Sequence, residues 1–375
     1  MRWWPGRVSG LAAAVAGAVI LTAAACAAPR PVPARTGAAP EPPAPAVPLT
    51  TSLATAAGSW AVVPVSSRPV FWQVLVRPGT AGTWRLDTPP GAASNGGLVA
   101  AAEPDGAGGL TVAFRPTQDL TFTPLAATAP GGTAWTAAPP LRARITASPD
   151  ALAVSGRVMA AVAGSGAVEA STDGGTTWRT LPGPAPRACG AVRITSLSVT
   201  GPTGLLAGGA CGPGGTAVLL SGALAGPSAG WRTVSLPVPG RLVRLAGRRA
   251  LVRAPGGLVV LREARAAGRG VPRWSASAPL PVTGTPVASG WLGSSGAWAL
   301  LPGGGAAVIT GSRAAWRTLP RVPARTAALA SGPGGSADAL AVSGPDVVVW
   351  RNGPSASRWT RVQTVRVPVQ YGSSG

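Results

Sequence analysis

The chain has 375 residues and a formal net charge of +21, from 32 cationic residues against 11 acids; every cation is an arginine and there is no histidine. Hydrophobic residues make up 46% beside 53 glycines and 41 prolines, which is turn-rich but apolar enough to fold rather than stay disordered. Without histidine, Ser-His-Asp and Cys-His nucleophiles and most zinc centres are excluded, and neither a metal nor a cofactor is expected.

Residues 1–25 read as an export signal. Arg2 and Arg7 give a positive start, and Leu11 to Ala25 is apolar and uncharged but shorter than the roughly 20 residues of a membrane span. The segment ends Leu21-Thr22-Ala23-Ala24-Ala25-Cys26, small residues before a cysteine as in a bacterial lipobox, with Ala23 where the usual pattern has leucine. Cys26 is therefore the expected lipidation site, and the mature chain is expected on the extracytoplasmic face of the cell membrane; an ordinary secretory signal is the alternative. Acyl chains hold a protein to a bilayer at about 0.8 kcal/mol per buried CH₂. Residues 26–51 are rich in proline and alanine and read as a stalk, extended at about 3.1 Å per residue.

From residue 52 to 375 the chain shows an internal repeat. Tryptophans recur in one local context at Trp84, Trp135, Trp178, Trp231, Trp274, Trp316 and Trp359, at spacings of 51, 43, 53, 43, 42 and 43 residues. Within the unit after Trp178 the runs ITSLSV, LLAGGA and TAVLLS precede the strand of Trp231, separated by Gly, Pro and Ser turns, and the next unit repeats the pattern with RLVRLAG, RALVRAP and GLVVLRE. Four short strands per period predict an all-β fold, a seven-bladed β-propeller of four-stranded antiparallel blades with each tryptophan on an outermost strand. The first unit is one strand short, and a surplus run VRVPVQY follows Trp359; the expectation is that this run returns as the innermost strand of the first blade and removes an open edge. Cys189 and Cys211 flank one hairpin and are the expected disulfide of an exported protein.

The turn before Trp178 reads Ser171-Thr172-Asp173-Gly174-Gly175-Thr176-Thr177-Trp178 and matches S-x-D-x-G-x-T-W. It resembles the Asp box of BNR repeats in sialidase-like propellers, and the whole layout is similar to that of a bacterial, actinobacterial lipoprotein carrying such a propeller. The resemblance implies a structural role for Ser171, Asp173, Gly175, Thr177 and Trp178, on the face away from any ligand. Sialidase chemistry would need three arginines around a carboxylate, a tyrosine helped by a glutamate, and an acid/base aspartate. The single tyrosine, Tyr371, stands four residues from the C-terminus, and Phe114 to Thr117, FRPT, only faintly resembles the arginine motif of that family. No enzyme activity is expected, and no catalytic residue is assigned.

Arginines recur in the segments that cross from one blade to the next. Arg144, Arg193, Arg241, Arg244, Arg325 and Arg366 are the candidate anion-binding ring at the channel mouth, since forked guanidinium groups suit carboxylates and phosphates. A second series after the tryptophans, Arg85, Arg179, Arg232 and Arg317, is expected on the exposed side of the outer strands. The reading is a monomeric, membrane-anchored binding or assembly scaffold whose face engages a protein or an anionic envelope polymer, with no nucleic acid partner; the alternative is a degenerate glycan-binding or glycoside-processing protein.

Overall fold

Both faces of most strands are apolar, which is the pattern of sheets packed on two sides. Val158–Val162 and Gly296–Leu300 are buried at every position. The computed structural model describes residues 49–50, 59–65, 71–79, 82–88, 98–102, 110–114, 125–128, 135–137, 151–162, 166–183, 192–212, 215–224, 230–264, 273–283, 286–292, 296–310 and 315–367. Residues 1–25, expected to be an export signal, and Cys26 lie outside them, as do Arg144, Cys189 and Tyr371. Among the described residues no helix is long and apolar enough to cross a membrane.

The strands in chain order are β1 (Leu49–Thr50), then β2 (Ser59–Val65), β3 (Phe71–Arg77) and β4 (Arg85–Leu86) of a first sheet. A second sheet holds β5 (Leu98–Ala102), β6 (Leu110–Phe114), β7 (Leu125–Thr128) and β8 (Trp135–Ala137), and a third β9 (Ala151–Ser155), β10 (Val158–Val162), β11 (Val168–Ser171) and β12 (Arg179–Thr180). The fourth comprises β13 (Val192–Gly201), β14 (Gly204–Cys211), β15 (Thr216–Ala223) and β16 (Trp231–Val234), and the fifth β17 (Arg241–Ala246), β18 (Arg249–Ala254), β19 (Gly257–Ala264) and β20 (Arg273–Ala276). The sixth is β21 (Ala288–Leu292), β22 (Gly296–Leu300), β23 (Ala306–Ile309) and β24 (Arg317–Leu319), and the seventh β25 (Thr326–Ser331), β26 (Ala337–Ser343), β27 (Asp346–Asn352) and β28 (Thr360–Arg366). Within each sheet the strands follow one another as an antiparallel meander. This is a β-propeller, and the Trp-marked repeat is its blade period: every marker tryptophan is one of the first two residues of an outermost strand or stands immediately before it.

Apolar cores lie between consecutive sheets. Ala250 and Val252 of β18 pack with Leu206 and Leu219 of the fourth sheet, whereas Leu251, between them in sequence, packs with Trp291 and Ile309 of the sixth. The period of two along a strand thus sends alternate residues into two different interfaces. Gly208 shows how close the sheets come: a Cβ there would stand 2.2 Å from Leu242 Cδ2 and 2.8 Å from Leu245 Cδ1.

The first and seventh sheets meet through buried polar groups. Arg77, at the end of β3, donates to Asp338 Oδ2 at 2.8 Å and to the carbonyl of Ser331 at 2.5 Å. Ser331 ends β25 and Asp338 is the second residue of β26, so Arg77 lies at that end of the seventh sheet. β3 consequently runs in the direction of β25 and β27, and β2 and β4 in that of β26 and β28. The first sheet supplies counterparts of a second, third and fourth strand; a counterpart of the innermost strand is not among the described residues. The closing run VRVPVQY is only partly described, and that part differs from expectation. Val365 and Arg366 belong to β28 itself, opposite Val347 and Asp346, because the outer strand of Trp359 continues for seven residues; residues 368–375 lie outside the described region. Near the start of the described region, Leu49–Thr50 pairs in parallel with Gly290–Trp291 of β21.

Candidate functional site

The innermost strands β13, β17 and β25 share one irregularity. In each the register slips by one residue, between Ile194 and Ser196, between Leu242 and Arg244, and between Thr326 and Ala328. Such a bulge kinks a strand and re-aims its side chains. Aligned on the bulge, Arg193, Arg241 and Arg325 occupy the same position, at the end where these strands begin, here the mouth end. All three are exposed, and none has a carboxylate partner among the described residues. Arg325 holds a left-handed φ of 60°, in a turn where the Thr326 hydroxyl donates to the Pro323 carbonyl at 2.7 Å.

Two arginines of the expected ring stand elsewhere. Arg244 is not in a crossover but inside β17, past the bulge, and is only 6% exposed. Burial, with no ion pair among the described residues to offset it, pulls its pKa down to about 10. Arg366 is exposed at the end of the outermost strand β28, cross-strand from Asp346 and away from the inner rim. Of the series after the tryptophans, Arg85, Arg179 and Arg232 are exposed and Arg317 is half-buried. The sequence reading missed Arg253, directly opposite Arg241 on β18, which a strand register alone could have supplied.

The Ser171–Trp178 segment forms the tight turn between β11 and β12, at the end opposite the mouth. Thr177 donates its backbone N–H to Asp173 Oδ1 at 2.9 Å and its hydroxyl to Oδ2 at 2.6 Å, while the Ser171 hydroxyl donates to Oδ1 at 2.7 Å. The Gly175 N–H in turn donates to Ser171 Oγ at 2.8 Å. Gly174 and Gly175 take φ of 76° and 87°, a region costly for a residue with a Cβ. These donors, Thr177 first, hold the Asp173 carboxyl far below the usual carboxylate range. The carboxylate is thereby committed to its own turn, and the Trp178 ring packs beside Gly175.

Three of the marker indoles do more than fill space. Trp135 Nε1 donates to the Asp87 carbonyl at 2.8 Å, Trp231 Nε1 to that of Pro182 at 2.7 Å, and Trp359 Nε1 to that of Pro320 at 3.1 Å. Each acceptor lies three or four residues after the marker tryptophan of the preceding sheet. The pattern is not general: Trp84 is 2% exposed with its Nε1 on Asp338 Oδ2 at 2.9 Å, and the Nε1 groups of Trp178 and Trp316 are buried without an acceptor among the described residues.

No protein-family model and no curated protein matches the sequence. Among solved structures, a candidate 6-phosphogluconolactonase from Bacteroides uniformis is similar over 84% of this chain and 97% of its own, at 11% identity and a TM-score of 0.52. YCF48 from Cyanidioschyzon merolae covers the same shares at 15% identity and a TM-score of 0.46, and YCF48 bound to D1 peptide matches over 85% of this chain and 83% of its own at 14% identity and a TM-score of 0.39. At these identities the likeness concerns the fold.

Proposed function

We propose that this chain is a non-catalytic, lipid-anchored binding scaffold on the extracytoplasmic face of a membrane, whose propeller mouth engages an anionic envelope polymer or an acidic protein surface. The observation that carries the reading is the repetition of Arg193, Arg241 and Arg325 at one structural position, at the start of three innermost strands, each exposed and without a carboxylate partner among the described residues. A fold needs no arginine there, and guanidinium groups repeated at one rim favour a polyanion. The anchor rests on Cys26 and the small residues before it. A disulfide between Cys189 and Cys211 fits an exported chain and is supported by the bonded state of the Cys211 sulfur at the end of β14, opposite Val192.

Retention on an anionic matrix tests the face. Reversing Arg193, Arg241 and Arg325 together to glutamate should abolish it, and unchanged elution would remove the mouth from consideration. Mass spectrometry of the mature N-terminus tests the anchor, which an unmodified start beyond Cys26 would disprove.

A further inference from the structure

We propose that Arg244 and Arg253 form a pocket for a phosphoryl dianion at the mouth end of the fifth sheet, on its face toward the sixth. The proposal rests on the scaffold reading above and names the chemistry of one subsite. It follows first from register. Arg241 and Arg253 are directly opposite on β17 and β18, and beyond the bulge Arg244 is opposite Leu251, two residues before Arg253. Residues opposite each other, and residues two apart, share a face of the sheet, so the stems of Arg244 and Arg253 rise from the face that Leu251 presents to Trp291. Arg241 shares that register position with Arg253, but its guanidinium reaches back over Gly215 in the turn between β14 and β15 of the fourth sheet, which leaves the pocket to Arg244 and Arg253.

The second observation is that these donors have nothing to bind within the protein. Nε and Nη1 of Arg244 and Nη1 of Arg253 are buried without a hydrogen-bond acceptor among the described residues. Arg244 stays a cation at neutral pH even though burial weakens it. The six described carboxylates are engaged or distant: Asp338 holds Arg77 and Arg351, Glu263 holds Arg248, Glu169 accepts from Thr180, Asp173 is closed in its turn, and Asp87 and Asp346 belong to the first and seventh sheets. Like charges directly opposite on neighbouring strands repel, and a buried charge is costly without a partner.

The repeat supplies an internal control. At the position of Arg244 the fourth sheet has Ser196 and the seventh Ala328; opposite the rim arginine, where the fifth has Arg253, they have Ala210 and Val342. The fold therefore accepts small neutral residues at both positions, and the paired charges of the fifth sheet are an addition to it. Two guanidinium groups with buried free donors match two negative charges, so a phosphoryl group suits them better than a single carboxylate.

The test is calorimetric titration of the full chain with inorganic phosphate at fixed ionic strength, with acetate as the carboxylate arm. Vesicles containing phosphatidic acid, compared with phosphatidylcholine alone, then tell a lipid-borne phosphoryl group from the free ion. Saturable phosphate binding is expected, weakened roughly tenfold or more in Arg244→Ser and in Arg253→Ala and kept in Arg366→Gln. Both pocket variants take residues that the fourth sheet already uses at those positions. Wild-type affinity in the two variants, equal binding of acetate, or no saturable binding at all would overturn the pocket. If phosphate fails while retention on the anionic matrix still depends on Arg193, Arg241 and Arg325, the pocket falls and the scaffold stands; loss of both sinks both.

Discussion

Arg77 and Asp338 are 261 residues apart in the chain and joined at 2.8 Å, with side chains 2% and 0% exposed. Asp338 also accepts from Arg351 Nε at 2.7 Å and from Trp84 Nε1 at 2.9 Å, so one carboxylate collects two cations and an indole where the first sheet meets the last. The Arg77 guanidinium lies 5.4 Å from the centre of the Trp84 ring, and burial lowers its pKa against the pull of Asp338. Asp338→Asn leaves Arg77 as an uncompensated buried cation and should cost about 3–5 kcal/mol in urea unfolding. Replacing both partners, as Arg77→Met with Asp338→Leu, should recover part of that loss, since the desolvation of Arg77 disappears with its charge while Arg351 and the Trp84 N–H lose their acceptor.

This closure shows where the sequence is legible and where it is not. The tryptophan period and the turn chemistry announce the blade and its outer strand, because both are local. The three described strands of the first sheet could be counted, since strands are short and bounded by Gly and Pro. Nothing local distinguishes Asp338 from the other acids: its role depends on partners more than 250 residues away. Likewise Arg241 and Arg244, three apart in sequence, read alike as crossover arginines, yet one bulge at Val243 leaves the first at the rim and carries the second into the sheet. A bulge is decided by pairing, which composition does not record.

Asp87 should give stability a pH dependence of its own. Burial lifts its carboxyl from 3.8 to about 6, against a smaller opposing pull from Arg85. A raised carboxyl pKa means that the folded chain holds the proton more tightly than the unfolded chain. The resulting stabilisation is full below pH 3.8 and is lost as pH rises through about 6. Asp87→Asn should remove that component between these limits and, above them, gain about 1 kcal/mol after allowance for solvent access to the half-buried group. Equal pH profiles for the two proteins in thermal unfolding would show that Asp87 is not the titrating group.

The Ser171–Trp178 turn should behave as structure alone. Asp173→Ala removes the acceptor of Thr177 and Ser171, so the turn loosens and the melting temperature falls, while retention on an anionic matrix stays at the wild-type level. A variant that melts normally but loses retention would place Asp173 in binding rather than in the turn.

The repeated indole bonds predict a graded series. In Trp231→Phe the ring's packing is largely kept and the 2.7 Å bond to Pro182 is lost; in Trp359→Phe the 3.1 Å bond to Pro320 is lost. Each should cost about 1 kcal/mol, the net value of one hydrogen bond. The two lie in different interfaces, fourth sheet to third and seventh to sixth, with no shared partner, so the double variant should lose the sum within about 0.5 kcal/mol. Trp84→Phe should cost more than either, because it strips a donor from the fully buried Asp338 and so weakens the closure itself. Equal losses at all three positions would mean that ring size, and not the indole N–H, is what each blade requires.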